Sequence, residues 1–305
     1  MAVSVMREEF DQATFGAAAL LGGGTVALPL TEGEREEALE FLAARPVHTV
    51  YMASLMSDNG VVSPLNRGTF YGCRDAEGAL VGVALVGHAT LVEARSDSAL
   101  EAFARVARAC TNSYLIRGEQ DVIERFWKLY SANDPTPARL ISREMLYEQR
   151  MPVTVREPVR ELRQATLADI ELVMEVNALM AVAECGSNPM ERDPHGFRVR
   201  TARRIEQGRV WVWRDEAGLV FKADVLAETP EAVYLEGVHV RADERGKGVG
   251  LRCMSQLGRE LLRRTDAICL VVNERSESAQ AFYRKSGYRF RGYYDTIYLQ
   301  PRRGY

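Results

Sequence analysis

The chain has 305 residues, of which 47% are hydrophobic and 27% are charged, and its formal net charge is −3. Because a domain usually has about 100–200 residues, this length suffices for two hydrophobic cores. The near balance of charge provides no general attraction to nucleic acid or to an anionic membrane, so we expect neither as a partner. The five cysteines form no CxxC pair. Their spacing favours free thiols in a cytoplasmic protein, and we expect no metal.

An uncharged stretch at residues 12–31 is about as long as a membrane-spanning helix. Three consecutive glycines at residues 22–24 interrupt it, and the acidic residues before it are unlike the basic start of a signal peptide. We therefore predict a helix that ends at the glycines, a strand at residues 25–30 and a helix at residues 34–44.

Two similar segments, at residues 68–81 and 208–221, predict a hairpin in each half of the chain. In both, an Asp and a Gly lie between two apolar runs, which is typical of a turn between strands. Before the second hairpin, the pattern predicts a strand at residues 159–164 and a helix at residues 167–179. The similarity indicates two halves of one plan, with a chance likeness of two hairpins as the alternative.

Residues 180–197 follow that helix and contain Gly, Asn and two prolines, which predicts a loop. The loop carries three acidic residues, Glu184, Glu191 and Asp193. Two apolar strands are predicted next, at residues 219–226 and 232–240.

The loop at residues 245–250 carries the strongest functional signal. It follows the second of these strands and leads into a helix from about Gly250. Its glycines permit positive φ angles and the close approach of a bulky anion, and the start of a helix attracts negative charge. The segment lacks the Ser or Thr of a phosphate-binding P-loop and the third glycine of a dinucleotide site. An ordinary tight strand–helix loop is the alternative to a diphosphate site.

A second signal begins with an apolar strand at residues 268–272 and Asn273. Ser276 or Ser278 can cap the following helix, and Gly287 can end it in the left-handed conformation.

The two segments together resemble the GNAT superfamily of N-acetyltransferases, over roughly residues 159–299. The first contains its Arg-x-x-Gly-x-Gly pattern, at Arg245, Gly248 and Gly250. The second departs from the family pattern at Ser276, where an Asn is frequent. The residues of the second segment that match are Asn273, Ala279, Tyr283, Lys285, Gly287 and Tyr288.

The resemblance implies an α/β (α+β) fold with two tandem GNAT-like domains, each a mixed, mostly antiparallel sheet flanked by helices. We expect a degenerate domain at residues 1–152 and a catalytic domain at residues 153–305. In the first domain no glycine occupies the loop that leads into the helix expected at residues 99–109, and Asp97 would repel a diphosphate.

The resemblance also implies acetyl-CoA as co-substrate. Gly237 is the expected position of a bulge where the sheet opens, because a glycine in a strand often marks one. The cofactor-binding residues that it implies are Val238, His239, Val240, Arg245, Gly246, Lys247, Gly248, Val249, Gly250, Asn273, Ser276, Ala279 and Phe282.

Two catalytic residues are implied. Glu236 would be the base, or else an exposed strand residue. Tyr283 would be the acid that protonates the thiolate, or else a core aromatic. Strict alternation places His239 on the opposite face of the strand from Glu236, unless a bulge re-aims it. Because Cys253 is expected to point into helix packing, we expect direct transfer in a ternary complex.

The acceptor would be a small-molecule amine or a peptide amine, and the acids of residues 180–197 would suit a cation. Two alternatives remain open. The protein could be a non-catalytic acyl-CoA-binding regulatory module, or its first half could dock a protein substrate. The sequence leaves the oligomeric state open.

Overall fold

A computed structural model describes residues 25–132, 138–154 and 157–300 of the chain. The strands of the described part are β1 (Ala27–Pro29), β2 (Gly68–Arg74), β3 (Leu80–Gly87), β4 (Ala89–Ala94), β5 (Leu115–Glu119), β6 (Ala138–Gln149), β7 (Arg163–Gln164), β8 (Val210–Asp215), β9 (Gly218–Glu228), β10 (Val233–Val240), β11 (Ile268–Asn273) and β12 (Arg289–Leu299). Its helices are α1 (Arg35–Ala43), α2 (Pro46–Asn59), α3 (Asp97–Ala109), α4 (Gln120–Ser131), α5 (Ile170–Cys185), α6 (Pro189–Arg192), α7 (Pro194–Glu206), α8 (Val249–Leu261) and α9 (Glu277–Lys285).

All these strands form one sheet of 12 strands, in the order β1-β2-β3-β4-β5-β12-β6-β11-β10-β9-β8-β7. Within the described residues, only β4 with β5 and β10 with β11 pair in parallel. The order reads as two copies of one arrangement that meet at the centre. The predicted fold class, two tandem GNAT-like units of mixed and mostly antiparallel sheet flanked by helices, is confirmed.

The two halves exchange their last strands, which the sequence did not predict. β6 ends the first half but pairs with β11 of the second half, from Ile268↔Gln149 to Asn273↔Glu144. β12 ends the second half and pairs with β5 of the first half. β6 and β12 also pair with each other along most of their length. Each half therefore completes the sheet of the other.

Both predicted hairpins are confirmed. β2 and β3 pair around a turn in which the Gly78 N–H donates to the Asp75 carbonyl oxygen at 3.2 Å. β8 and β9 pair around an equivalent turn, where the Ala217 N–H donates to the Asp215 carboxylate at 2.9 Å. In each turn a local Asp acceptor holds the chain reversal.

Helix α2, which the sequence did not predict, packs against both halves. Val47 and Val50 lie in a cluster with Tyr234 on β10, whereas Met52 and Met56 lie in the core of the first half. On the other face of the second half's sheet, α8 buries its apolar stripe in the largest core cluster. α2 and α5 both pack over β9 and β10, and we name the region between these elements the cleft.

Several predicted boundaries were wrong. Of the strand expected at residues 159–164, only Arg163–Gln164 pairs, and the helix expected at residues 167–179 continues to Cys185. The loop expected at residues 180–197 is largely helical, because Asn188 and Asp193 cap two further helices that each have proline in the first turn. The helix expected before the glycines at residues 22–24 lies outside the described residues.

None of the helices in the described ranges combines the length and the apolar character that crossing a bilayer requires.

The boundary between residues 152 and 153 stays a prediction, and the strand exchange gives it a test. Fragments 1–152 and 153–305, produced separately, should each lack a cooperative urea transition, because each loses a neighbouring strand and exposes unpaired sheet edges. Mixing the fragments should restore the transition of the intact chain. Circular dichroism checks both results, and two fragments that each unfold cooperatively alone would contradict the exchange.

Candidate active site

The sheet of the second half opens between β10 and β11. The two strands pair only at Val233↔Ile268 and Tyr234↔Cys269, and beyond these residues they separate. The opening coincides with a register shift between Glu236 and His239, where Gly237 has a φ angle of +61°. The predicted bulge at Gly237 is confirmed.

The bulge changes the direction of His239. Glu236 lies opposite Asp224, and His239 lies opposite Lys222. Because Asp224 and Lys222 are two residues apart on β9, all four side chains point to the same face. The expectation from strict alternation, that His239 faces away from Glu236, is therefore wrong. Burial, together with Arg245 and Lys222, lowers the pKa of His239, so its imidazole is neutral at pH 7.

A buried ion pair holds the bulge in place. The fully buried Lys222 donates from Nζ to the Gly237 carbonyl oxygen at 3.0 Å and lies 2.9 Å from the Asp224 carboxylate. Arg204 on α7 lies 3.2 Å from the same carboxylate. A Cβ at Gly237 would lie 2.7 Å from Lys222 Nζ, so a glycine is required there. In the sequence, this ion pair is marked by a Lys and an Asp within a mostly apolar strand.

The loop before α8 has the features of an anion site. Gly246 and Gly248 have φ angles of +77° and +80°, and a Cβ on either would meet no atom within 4 Å. Gly248 is the N-cap of α8, and no described side chain caps that helix. Its first N–H groups have no partner within the helix, so they can bind an anion. In the first half, by contrast, the Ser96 hydroxyl caps α3 by accepting from the Ala99 N–H at 3.2 Å.

The remaining loop residues differ in their surroundings. Arg245 donates from Nε to the Val240 carbonyl oxygen at 2.9 Å, and Lys247 lies 3.2 Å from Glu244. Gly250 is tightly enclosed, because a Cβ there would lie 2.9 Å from Val240 and 3.0 Å from Phe282. Val249 is buried in the core below.

The second motif lies beside the opening. The Asn273 side chain accepts from the Arg275 N–H at 2.9 Å and donates to Ser142 at 3.2 Å. Ser276 occupies the N-cap position of α9 without a side-chain hydrogen bond to the helix. Ala279 and Phe282 pack on the core of the second half, as does Tyr283.

Tyr283 meets the rings of Phe282 and Tyr288 edge-to-face, at centroid distances of 5.1 and 5.7 Å. Burial, with a contribution from Glu184, raises the pKa of Tyr283 well above its usual range. The phenol is therefore protonated at neutral pH and can donate a proton.

Of the three acids expected near the acceptor, Glu184 is the one that shares the cleft with Glu236. The Glu184 residue is exposed to solvent, yet many protein atoms lie around its carboxyl group. Burial, together with the charges of Glu236 and Glu144, raises its pKa to about 7. Glu191 instead accepts from the Asn188 side chain, and Asp193 accepts from the Gly196 N–H and pairs with Arg200 on α7.

The first half contributes to the same cleft. Arg117 on β5 donates to the Tyr234 hydroxyl at 2.9 Å and lies 2.9 Å from Glu144 on the exchanged strand. Burial raises the pKa of Tyr51 on α2, and the charge of Glu236 contributes. The cleft is thus lined from both halves.

Cys253 is fully buried in the core, as predicted, and burial raises its pKa to about 12. Its thiol is protonated and shielded, which does not suit a nucleophile. In the described part of the chain, no group of three or more His, Cys, Asp or Glu side chains is arranged to hold a metal.

Residues 206–290 match the family model described as an acetyltransferase (GNAT) domain. None of the curated proteins compared with the chain matches it.

Three solved structures share the fold at low sequence identity. A tandem GNAT protein from the clavulanic acid biosynthesis pathway is 13% identical with a TM-score of 0.56, covering 92% of this chain and 100% of its own. A GCN5-related N-acetyltransferase from Sphaerobacter thermophilus is 14% identical with a TM-score of 0.54, covering 93% and 98%. A Drosophila protein is 13% identical with a TM-score of 0.64, covering 92% and 100%.

The close packing at Gly250 predicts a stability effect. Gly250→Ala should destabilise the protein by about 1–3 kcal/mol, because the added methyl group forces Val240 and Phe282 apart. Gly292→Ala is the matched control, since a Cβ there meets nothing within 4 Å. Urea unfolding measures both, and equal effects of the two substitutions would refute the close packing.

The pair of carboxylates predicts a coupled titration. In ¹³C NMR of glutamate-labelled protein, the Glu184 carboxyl should titrate near pH 7. Glu236→Gln should lower that pKa, because a neighbouring negative charge that opposes ionisation is removed. Glu191→Gln is the control and should leave it unchanged. A Glu184 pKa that does not respond to Glu236→Gln would show that the charge of Glu236 does not act on Glu184.

Proposed function

The chain carries a GNAT acetyltransferase domain over residues 206–290, and from that premise we propose that it is an acetyl-CoA-dependent N-acetyltransferase. It transfers the acetyl group directly to a primary amine in a ternary complex. The observation that carries the proposal is the helix start at Gly248, which has no side-chain cap, beside the opening between β10 and β11. We further propose that the protein acts in the cytoplasm, without a metal.

The residues around the opening fit the co-substrate. The N–H groups of the loop at residues 245–250 would hold the diphosphate of acetyl-CoA, and the open space beside Gly246 and Gly248 leaves room for it. The backbone of Val238, His239 and Val240 would hold the pantetheine arm as a neighbouring strand. When bound, acetyl-CoA supplies the thioester whose acyl carbon the amine attacks.

Glu236 is proposed to take a proton from the acceptor amine, through water. The need for such a base is large for an alkylamine of pKa about 10.4, because only about one molecule in 2,500 is unprotonated at pH 7. For an α-amine of pKa near 8 the fraction is roughly one in ten. Glu184, with its pKa of about 7, is a second group in the cleft that can accept a proton.

Tyr283 is proposed to protonate the departing thiolate. Its raised pKa keeps the phenol protonated, and its position on α9 next to Phe282, which packs against Gly250, supports this role. The buried, protonated Cys253 supports direct transfer over a cysteine-bound intermediate.

Removal of the hydroxyl tests this role. Tyr283→Phe should lower kcat by about 10²-fold or more, because general-acid assistance typically contributes that much, while CoA affinity changes little. Tyr288→Phe is the matched control, since it removes a buried hydroxyl without a hydrogen-bond partner from the adjacent ring. Steady-state kinetics and CoA calorimetry check both variants.

The same measurements test the activity itself. Thioester consumption that depends on an added amine supports the transferase. CoA binding without turnover on any amine would favour the regulatory module instead. The absence of CoA binding would overturn the proposal entirely.

A further inference from the structure

Three arginines carry charges that act on His88 where the two halves adjoin, and we name Arg67, Arg192 and Arg200 the basic seam. Arg67 belongs to the first half, whereas Arg192 ends α6 and Arg200 lies on α7. The Arg192 guanidinium lies 5.0 Å from the centroid of the Tyr114 ring, and the His88 ring stacks on that same ring at 5.0 Å. The His88 N–H donates to the Arg67 carbonyl oxygen at 2.9 Å. These contacts bring residues of both halves to one place.

Among the described residues, the seam has more positive charge than its ion pairs neutralise. The carboxylate that pairs with a seam arginine there is that of Asp193, 3.0 Å from Arg200. Burial and the charge of Arg200 lower the pKa of Arg67, and the charge of Arg192 contributes. Burial and the three arginines together lower the pKa of His88 to about 4, so His88 is neutral at pH 7. Such an excess of positive charge favours binding of an anion.

The backbone also fixes Arg67. It has a φ angle of +55° and is the only non-glycine residue of the described ranges with a positive φ. L side chains disfavour this conformation, so the surrounding structure must hold it. The buried Asn66 does so, since its side chain accepts from Asn59 at 2.9 Å and donates to the Gly60 carbonyl oxygen at 3.0 Å. Arg203 of α7 donates to Asn59 at 2.7 Å, which ties this turn to the second half.

Helix α7 connects the seam to the candidate base. Arg204 lies one helical turn after Arg200, which is about 5.4 Å along the axis. Arg204 contacts Asp224 at 3.2 Å, and Asp224 lies directly opposite Glu236 on the neighbouring strand. α7 therefore links the basic seam to the carboxylates of the cleft, and the charges of Glu236 and Arg67 both act on the pKa of Tyr51.

We propose that the acceptor is an amine that also carries an anionic group, a carboxylate or a phosphate, and that the basic seam binds this group. This inference rests on the proposed acetyltransferase activity and adds the class of its substrate. The ammonium end lies at Glu236 and Glu184, and the anionic end lies at the guanidinium groups, which bind carboxylates and phosphates with paired N–H donors. The first half then contributes a specificity-determining residue, Arg67.

The test compares three amines of equal chain length: 1-aminopentane, 5-aminopentanoate and 5-aminopentyl phosphate. With the full chain and acetyl-CoA, at least one of the two anionic amines should have a kcat/KM about tenfold or more above that of aminopentane. The relative rates of the two distinguish a carboxylate from a phosphate. Arg67→Asn should abolish the preference, and Asn suits this backbone because it tolerates a positive φ. Arg200→Gln is a second variant that needs no special backbone.

Arg198→Gln is the matched control. Arg198 lies on the same helix but two residues from Arg200, and it pairs with Glu171 of α5. Arg198→Gln removes one positive charge outside the basic seam, so the preference for the anionic amines should persist. A preference that Arg198→Gln reduces as much as Arg67→Asn does would indicate only general charge attraction and would overturn the proposal.

Failure of this inference can be told apart from failure of the proposed function. Equal kcat/KM values for the three amines would overturn the anion subsite while supporting the transferase. If no amine is acetylated, the transferase proposal fails, and calorimetry with 5-aminopentanoate and 5-aminopentyl phosphate in the presence of CoA decides the subsite. Heat of binding that Arg67→Asn removes supports the subsite, and no heat with either compound overturns it.

Discussion

The candidate site depends on the contact between Lys222 and the bulge at Gly237. A fully buried ammonium group is costly unless it is paired and hydrogen-bonded, and here Asp224 and the Gly237 carbonyl oxygen supply both partners. The contact fixes the strand where it leaves its parallel neighbour. It also places Glu236 and His239 on one face, where regular alternation would separate them. The opening in the sheet and the direction of the candidate base thus share one cause.

Exchange of the last strands makes the two halves one unit. Because β6 lies in the sheet of the second half and β12 borders the first, neither half closes its own sheet. Glu144 reaches the cleft on an exchanged strand, and Arg117 reaches it from β5. A first half without an open anion loop, whose helix Ser96 caps instead, therefore still shapes the site. In the proposed reaction, its contribution would be to the acceptor side of the cleft.

The sequence predicted the local parts of the site well. Glycines that need positive φ, the helix start after them and the bulge at Gly237 were all expected, because such features depend on a few neighbouring residues. The helices at residues 180–197 were missed, since prolines and Asn were interpreted as loop signals although they also begin helices. The acid Glu184 was noted, but the effect of the Glu236 charge on it could not be known without the path of α5.

By itself, the sequence determined the two-part plan, the hairpins, the loop at residues 245–250 and the family resemblance. These follow from periodicity and from residue types at short spacing, which act within one element. Only the tertiary structure decided which half each last strand joins, which way His239 points and that the charge of Arg200 acts on Arg67 of the other half. Those features depend on contacts between residues far apart in the chain. No local pattern encodes such a contact, since its free energy comes from packing and charge pairing in the folded protein.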